Sequence, residues 1–261
     1  MTRKINVGLA LGSGGARGLA HIGVLKALEE NNVNIDVVSG SSAGALVGSL
    51  YCSNIPPAKI EDIINQIDRK MWMDVTVPRR GFIKGNQIEQ ILKILTRNRN
   101  IEDLNKKLAI VATDLKESKK IVFTEGPLYK AVRASISVPG VFLPVKMDNM
   151  VLVDGGVIDR VPVSIARELG ADIVIAVDVG FSTEQRRINH IFDVILQSID
   201  VMAKQILNES LMGADILIKP PISHISPSKF DKVVECSKIG YKATIEGINE
   251  IKGKLEQIKI E

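Results

Sequence analysis

The sequence predicts an α/β fold of parallel strands and crossover helices, and three stretches predict it. Residues 5–11 read as a buried strand. It stops at a glycine loop, Gly12-Ser13-Gly14-Gly15-Ala16-Arg17-Gly18, ahead of an amphipathic helix over about residues 19–31 with Ile22, Val24, Leu25 and Leu28 apolar. The pattern then repeats: an apolar run at residues 35–38, the turn Gly40-Ser41-Ser42-Ala43-Gly44, and a helix-compatible run at 43–51. The third stretch, residues 172–179, is almost continuously apolar, as expected of a strand buried on both faces at the centre of a sheet. Both loops then lie at the carboxyl ends of neighbouring strands, where open α/β sheets place their sites.

The remaining elements follow in order. Pro56 and Pro57 close the second helix and start another, over about 58–69, and residues 86–95 form a further one. Residues 55–105 read as a mainly helical excursion from the sheet, because no linker-like composition flanks them. Residues 108–114 and 120–123 are strands, antiparallel across a Lys/Glu/Ser turn, and 128–135 a helix. Pro139 and Pro144 make residues 137–144 irregular. A short strand, 150–153, ends at Asp154-Gly155-Gly156, and a helix over 162–169 is stopped by Gly170. Ile188, Ile191, Phe192, Ile195, Ile199, Met202 and Ile206 recur at helical spacing, predicting one long helix over 188–212. Residues 216–218 are a last strand and 229–258 one or two closing helices. The whole chain, 1–261, reads as one domain, with a helical C-terminal part from about residue 185.

A chain of 261 residues, 45% hydrophobic and 25% charged, has the composition of a soluble globular protein with a large core. A net charge of +4 suits an anionic surface or substrate but falls well short of a nucleic-acid binder, so no nucleic-acid partner is expected. The two cysteines, Cys52 and Cys236, form no C-x-x-C pair, and three histidines supply no metal spacing. No metal or cofactor is expected, and a reducing, cytoplasmic compartment is. The basic start and apolar residues 5–11 are too short for a signal peptide, and no apolar run of about 18 residues is present to span a membrane.

Two motifs carry chemistry. Gly-x-Ser-x-Gly between strand and helix is a nucleophile elbow, with Gly40 and Gly44 making room for a tight turn that lifts the Ser42 hydroxyl into the open. The helix behind it directs unpaired N–H groups at charge forming above Ser42. Consecutive glycines in the first loop turn backbone N–H groups toward one point, an anion nest. A phosphate cradle, an oxyanion hole and a plain structural turn are all compatible with it. The dinucleotide fingerprint fails, because its sixth place is Arg17 and the acid due about 20 residues on is missing, and no Walker Gly-Lys-Ser/Thr is present. The oxyanion hole needs only a nucleophile next door.

Ser42 also needs a base. His21, His190 and His224 do not follow strand ends and read as helix-surface or loop histidines. Asp114, Asp154 and Asp178 do follow strands, where an aspartate commonly caps the next element. Asp154 is set apart by Gly155 and Gly156, which allow close backbone approach. To act as a base it must be partly desolvated, since a free carboxylate has a pKa near 3.9.

In this order and spacing the glycine loop, Gly40-Ser41-Ser42-Ala43-Gly44 and Asp154-Gly155-Gly156 resemble the patatin-like phospholipases, particularly their small bacterial members. Residues 11–25 match that family's opening and residues 131–142 its proline segment, so the resemblance covers about residues 5–180. It implies a three-layer α/β/α sandwich with a mostly parallel sheet. It further implies Ser42 as nucleophile with Asp154 as its only partner, and an oxyanion hole from the N–H groups of Gly14, Gly15 and Ala43. Arg17 is implied to anchor the loop or to contact a lipid phosphate. The departure is Ser13, where the family often has glycine.

The expected function is therefore that of a cytoplasmic, metal-independent serine acyl hydrolase of phospholipase A or lysophospholipase type, acting on lipid esters. A general carboxylesterase, a histidine-triad hydrolase and a docking module on the same fold remain as alternatives. Trp72, the only tryptophan, stands with Met71, Met73, Phe82 and Ile83 and near Arg79, Arg80 and Lys84. This segment reads as an edge that touches a membrane surface transiently, on the inner face, or as a core anchor of the helical excursion.

Overall fold

In the computed structural model, which describes residues 5–67, 74, 83–180 and 191–260, the predicted alternation holds. Strand β1 (Val7–Leu11) leads through a 3-10 turn at Gly15–Leu19 into helix α1 (Ala20–Glu30). Strand β2 (Val37–Ser41) feeds α2 (Ala43–Cys52), followed by α3 (Pro57–Gln66) and α4 (Asn86–Leu95). Then come β3 (Lys107–Asp114), β4 (Lys119–Phe123), α5 (Leu128–Ser135), β5 (Val145–Met147) and β6 (Met150–Asp154). The chain closes with α6 (Val163–Glu168), β7 (Ile173–Val177), α7 (Ile191–Ser210), β8 (Ile216–Ile218), α8 (Val233–Glu246) and α9 (Ile248–Ile260).

The run β3-β2-β1-β7-β8 is parallel throughout. From β1 the chain builds outward through β2 and β3, then returns to β1's other side with β7. The strand order thus reverses at β1, and the loop after β1 opens into the crevice where such sheets place their sites.

Side chains alternate across the strands, and that alternation creates two cores. Leu9, Leu11, Val38, Ile173, Ile175 and Val177 face the larger one, with α1, α2, α3, α4 and α8. Ala10, Val37, Val174 and Ala176 face a thinner one, with Val163 and Ala166 of α6 and Leu207 of α7. Helices on both faces of a mostly parallel sheet make three layers. The excursion helices contribute Ile60, Ile64, Ile88 and Leu92 to the larger core.

Strand β3 is longer than its parallel neighbours, and its extra length positions the site. Along one edge, β4 takes residues 110–114. Strand β2 pairs with residues 107–111 and β6 with residues 112–114. A strand has two edges, so β2 and β6 share the other one, parallel and then antiparallel, end against end.

Three details differ from the sequence reading. Strand β2 runs on to Ser41, because Gly40 and Ser41 still pair with Ile110 and Val111 of β3. The helix expected from Leu19 begins one residue later, after the 3-10 turn. Strand β5, only three residues long, directly after Pro144 and not fully buried, has no periodicity to betray it. Of the predicted segment around Trp72, residues Met71, Trp72, Met73, Arg79, Arg80 and Phe82 lie outside the described residues, as does His190, whereas Ile83 and Lys84 are described and Ile83 pairs with Phe142.

Candidate active site

Ser42 sits between β2 and α2 with φ 54° and ψ −119°, a conformation a non-glycine residue adopts only when its surroundings impose it. Three neighbours do so. A Cβ on Gly44 would lie 2.0 Å from the carbonyl oxygen of Leu11, so α2 can start this close to β1 only with glycine there. The Ser42 N–H donates to Ser135 Oγ at 2.9 Å, and Ser135 Oγ donates in turn to the Val111 carbonyl at 2.6 Å. The Ser42 carbonyl accepts from Leu46 N–H in the first turn of α2.

Asp154 ends β6. Its Oδ1 accepts from Gly156 N–H at 2.7 Å, the capping role expected of a strand-end aspartate. Its Oδ2 accepts from Ser42 Oγ at 2.5 Å, within the range of a charge-assisted O–H···O⁻ bond. The Asp154 N–H donates to the Ser137 carbonyl, and its carbonyl accepts from Thr113 Oγ1. A Cβ on Gly155 would come 2.2 Å from the Val111 carbonyl oxygen, so glycine lets the chain turn away directly against β3. Burial pushes the Asp154 carboxyl up to about 6, against the opposing pull of the Ser42 hydroxyl, the Gly156 N–H and the charge of Arg160. It is therefore mostly ionised at neutral pH yet far more basic than a solvated aspartate.

Gly14 and Gly15 form the loop beside Ser42 and line the same cavity. Among the described residues no bond is made by the N–H groups of Gly14, Gly15 or Ala43, whereas their neighbours Gly12, Ser13, Ala16 and Arg17 all donate to backbone carbonyls. The loop is fastened from the tail. Ala16 N–H donates to Pro227 O, and the buried Arg17 guanidinium donates to the carbonyls of Ile225 at 2.6 Å, Ser223 at 3.1 Å and Gly180 at 3.3 Å. Of the two roles expected for Arg17, loop anchoring is the one this geometry supports.

Two cavities share Ser42 and Gly15 in their walls, one of about 210 Å³ and one of about 280 Å³. The smaller also meets Asp154, Arg160 and Asp200. The larger adds aliphatic side chains from α2, α3 and α4, while Phe142 and Phe230 line both.

Of the other strand-end aspartates, Asp114 accepts from Lys116 and Val151 N–H groups, and Asp178 accepts from that of Gly180. Both do structural work. No histidine among the described residues lines either cavity. His224 is exposed, 3.6 Å from Glu235. His21 corrects the sequence reading. It is fully buried rather than on a helix surface, and its Nε2 donates to Gly12 O at 2.7 Å. Burial lowers its pKa to about 4, so it holds the loop as a neutral ring.

A family model described as patatin-like phospholipase matches residues 9–167. The chain belongs to the patatin-like phospholipase family. "Lysophospholipase NTE1" of Pyricularia oryzae is 36% identical over 181 residues, 67% of this chain and 12% of that protein. "Patatin-like phospholipase domain-containing protein 6" of Homo sapiens is 37% identical over 186 residues, covering 68% of this chain and 14% of its own length. This chain thus matches only a small part of these much longer relatives. Among solved structures, VipD from Legionella pneumophila superposes with a TM-score of 0.67 at 14% identity, over 94% of this chain and 67% of that one. The type III effector ExoU superposes with 0.53 at 16% identity, over 98% and 54%. At these identities the likeness establishes the patatin-like fold.

The patatin-like match stops at residue 167, yet the tail beyond it carries the carbonyls that hold the glycine loop. Sequence reasoning also missed Ser135 and Ser137, which hold the backbones of Ser42 and Asp154. The signal was present: both lie in the proline segment that matched the family without a role attached to it.

Proposed function

We propose that this chain is a serine acyl hydrolase that cleaves carboxylic ester bonds of lipids, of phospholipase A or lysophospholipase type, through a Ser42–Asp154 dyad. The observation that carries the proposal is the buried 2.5 Å hydrogen bond from Ser42 Oγ to Asp154 Oδ2. The similarity to a lysophospholipase in name supports the choice of lipid ester.

Ser42 Oγ attacks the ester carbonyl carbon while its proton passes to Asp154, whose raised pKa makes it a competent base near neutrality. The negative charge that collects on the carbonyl oxygen is met by the N–H groups of Gly14, Gly15 and Ala43 and by the positive end of α2. Collapse breaks the bond to the leaving oxygen, which takes the proton from Asp154 and departs as the alcohol. In the second half Asp154 removes a proton from water, the hydroxide attacks the acyl-enzyme, and Ser42 is released with its proton restored.

An alkyl fluorophosphonate should add once, at Ser42, as located by peptide mass spectrometry. Labelling at Ser41 or Ser137 instead, or none at all with no ester turnover, overturns the dyad and leaves a docking role for the fold.

No helix among the described residues is long and apolar enough to cross a membrane. A cytoplasmic location and transient lipid contact through the Trp72 segment belong to the same reading. Its test is a blue shift of the tryptophan emission on mixing with anionic vesicles, weakened by salt and by Arg79→Glu/Arg80→Glu. Emission already blue and unmoved by vesicles would make Trp72 a core residue.

A further inference from the structure

We infer that the two cavities meeting at Ser42 divide the substrate between them, the aliphatic one taking a single fatty-acyl chain and the one bordered by Asp154 the leaving alcohol. The inference rests on the Ser42–Asp154 reading and extends it to the direction in which substrate lies.

Asp154 decides the assignment. It borders the smaller cavity and is absent from the walls of the larger. Once it holds the proton of Ser42, it must hand that proton to the departing oxygen from hydrogen-bond distance, roughly 3 Å. The leaving group therefore lies on Asp154's side. The water of the second step needs the same base and comes from the same side. The acyl carbon's remaining substituent, the chain, then has the other cavity open to it.

The chemistry of the walls agrees. The smaller cavity shares Val138, Val141, Phe142 and Phe230 with the larger, but among the described residues it alone carries charged side chains beyond the dyad, among them Arg160 and Asp200, whose Nη1 and Oδ1 are 3.9 Å apart, a setting for a polar or charged alcohol. In the larger cavity Ser42 and Ser228 are the only polar side chains among the described lining residues. Leu46 stands one helical turn beyond Ser42 on the same face of α2 and lines this cavity. Ile64 of α3 and Ile88 of α4 line the same cavity. These walls would reward each added methylene by about threefold to fourfold in kcat/KM until the cavity is full. Acyl-length preference is thus set by the helical excursion, and leaving-group preference by the segment after Asp154 and by α7.

Leu46→Trp tests this, since Leu46 is only half-buried and a larger ring there enters the cavity. Decanoate binding to full-length Ser42→Ala protein, followed by calorimetry, should weaken about tenfold or more when Leu46→Trp is added. On p-nitrophenyl esters, the ratio of kcat/KM for decanoate over acetate should fall about tenfold or more in Leu46→Trp. Arg160→Gln should leave that ratio within about twofold, and should lower turnover of a lysophospholipid relative to a p-nitrophenyl ester of the same acyl chain. Unchanged decanoate affinity, or equal losses at every chain length, overturns the assignment. So does an Arg160→Gln variant that changes the chain-length ratio instead. Should Leu46→Trp lose its helical circular dichroism, Ile67→Trp, at another half-buried position lining the same cavity, replaces it with the same expectations. Failure of the dyad looks different: wild type without ester turnover or fluorophosphonate labelling, but with decanoate binding that Leu46→Trp still weakens.

Discussion

Ser41 and Asp154 occupy consecutive places along one edge of β3, opposite Val111 and Ala112. Residues 113 positions apart in the chain are thereby locked to one ruler, the backbone of a fully hydrogen-bonded strand. A dyad needs its two side chains within hydrogen-bond reach, and a shared strand edge fixes that distance more tightly than two loops could.

Replacing Asp154 by Asn should separate catalysis from stability. Loss of the base should lower kcat by about 10²- to 10⁴-fold. In wild type kcat/KM should rise with pH through about 6 and level off above it, as the carboxyl ionises. The stability effect has the opposite sign. A folded pKa raised to about 6 means that the folded protein binds the proton more tightly than the unfolded chain, so stability is lost as pH rises from about 4 through 6. Asp154→Asn removes that cost and should unfold about 1–3 kcal/mol later than wild type at pH 8. Denaturant melts at pH 4 and pH 8 check it; a variant less stable at both would contradict the buried-charge account.

The histidines should sort by burial. His224→Gln, at an exposed position, should stay within about 0.5 kcal/mol of wild type and keep most activity. His21→Leu leaves the Gly12 carbonyl without its donor and should cost about 1–3 kcal/mol. Because burial lowers the folded pKa of His21 to about 4, wild type should lose stability as pH falls from about 6.5 toward 4, and His21→Leu should lack that component. Either variant as inactive as Asp154→Asn would restore a histidine to the mechanism.

Ser135→Ala should affect rate more than binding. It removes the oxygen that accepts the Ser42 N–H and leaves that donor buried. The expected cost is about 1–3 kcal/mol in stability and at least about tenfold in kcat, with KM changing less. Ser135→Thr keeps the hydroxyl and should recover most of the rate. Equal activity in Ser135→Ala would mean that the elbow holds its shape without this contact.

Arg17→Lys tests the clamp from the tail. A lysine cannot reproduce the fork that meets the carbonyls of Gly180, Ser223 and Ile225. Stability should fall by about 2–4 kcal/mol, read as a lower denaturant midpoint at constant slope. At temperatures where the variant is folded, kcat should still be reduced, because the loop carrying Gly14 and Gly15 has lost its anchor. Wild-type kcat in the folded variant would detach the tail from the site.

What the sequence by itself determined is local. A strand run into glycines and then a helix is a short-range pattern of backbone freedom and apolar period, and it marked the elbow at Ser42, the glycine loop and the turn after Asp154. The order of those motifs carried the family and with it the three-layer architecture. Tertiary structure decided what depends on distant chain segments meeting. That β6 shares an edge of β3 with β2 follows from pairing register, which no single segment encodes. The burial of His21 depends on how its helix packs on the sheet, where the ring reaches the Gly12 carbonyl beyond the end of β1. The roles of Ser135, Ser137 and the carbonyls of Ser223 and Ile225 depend on hydrogen bonds across long separations, and serine or a backbone carbonyl looks the same in sequence whether or not it has such a partner.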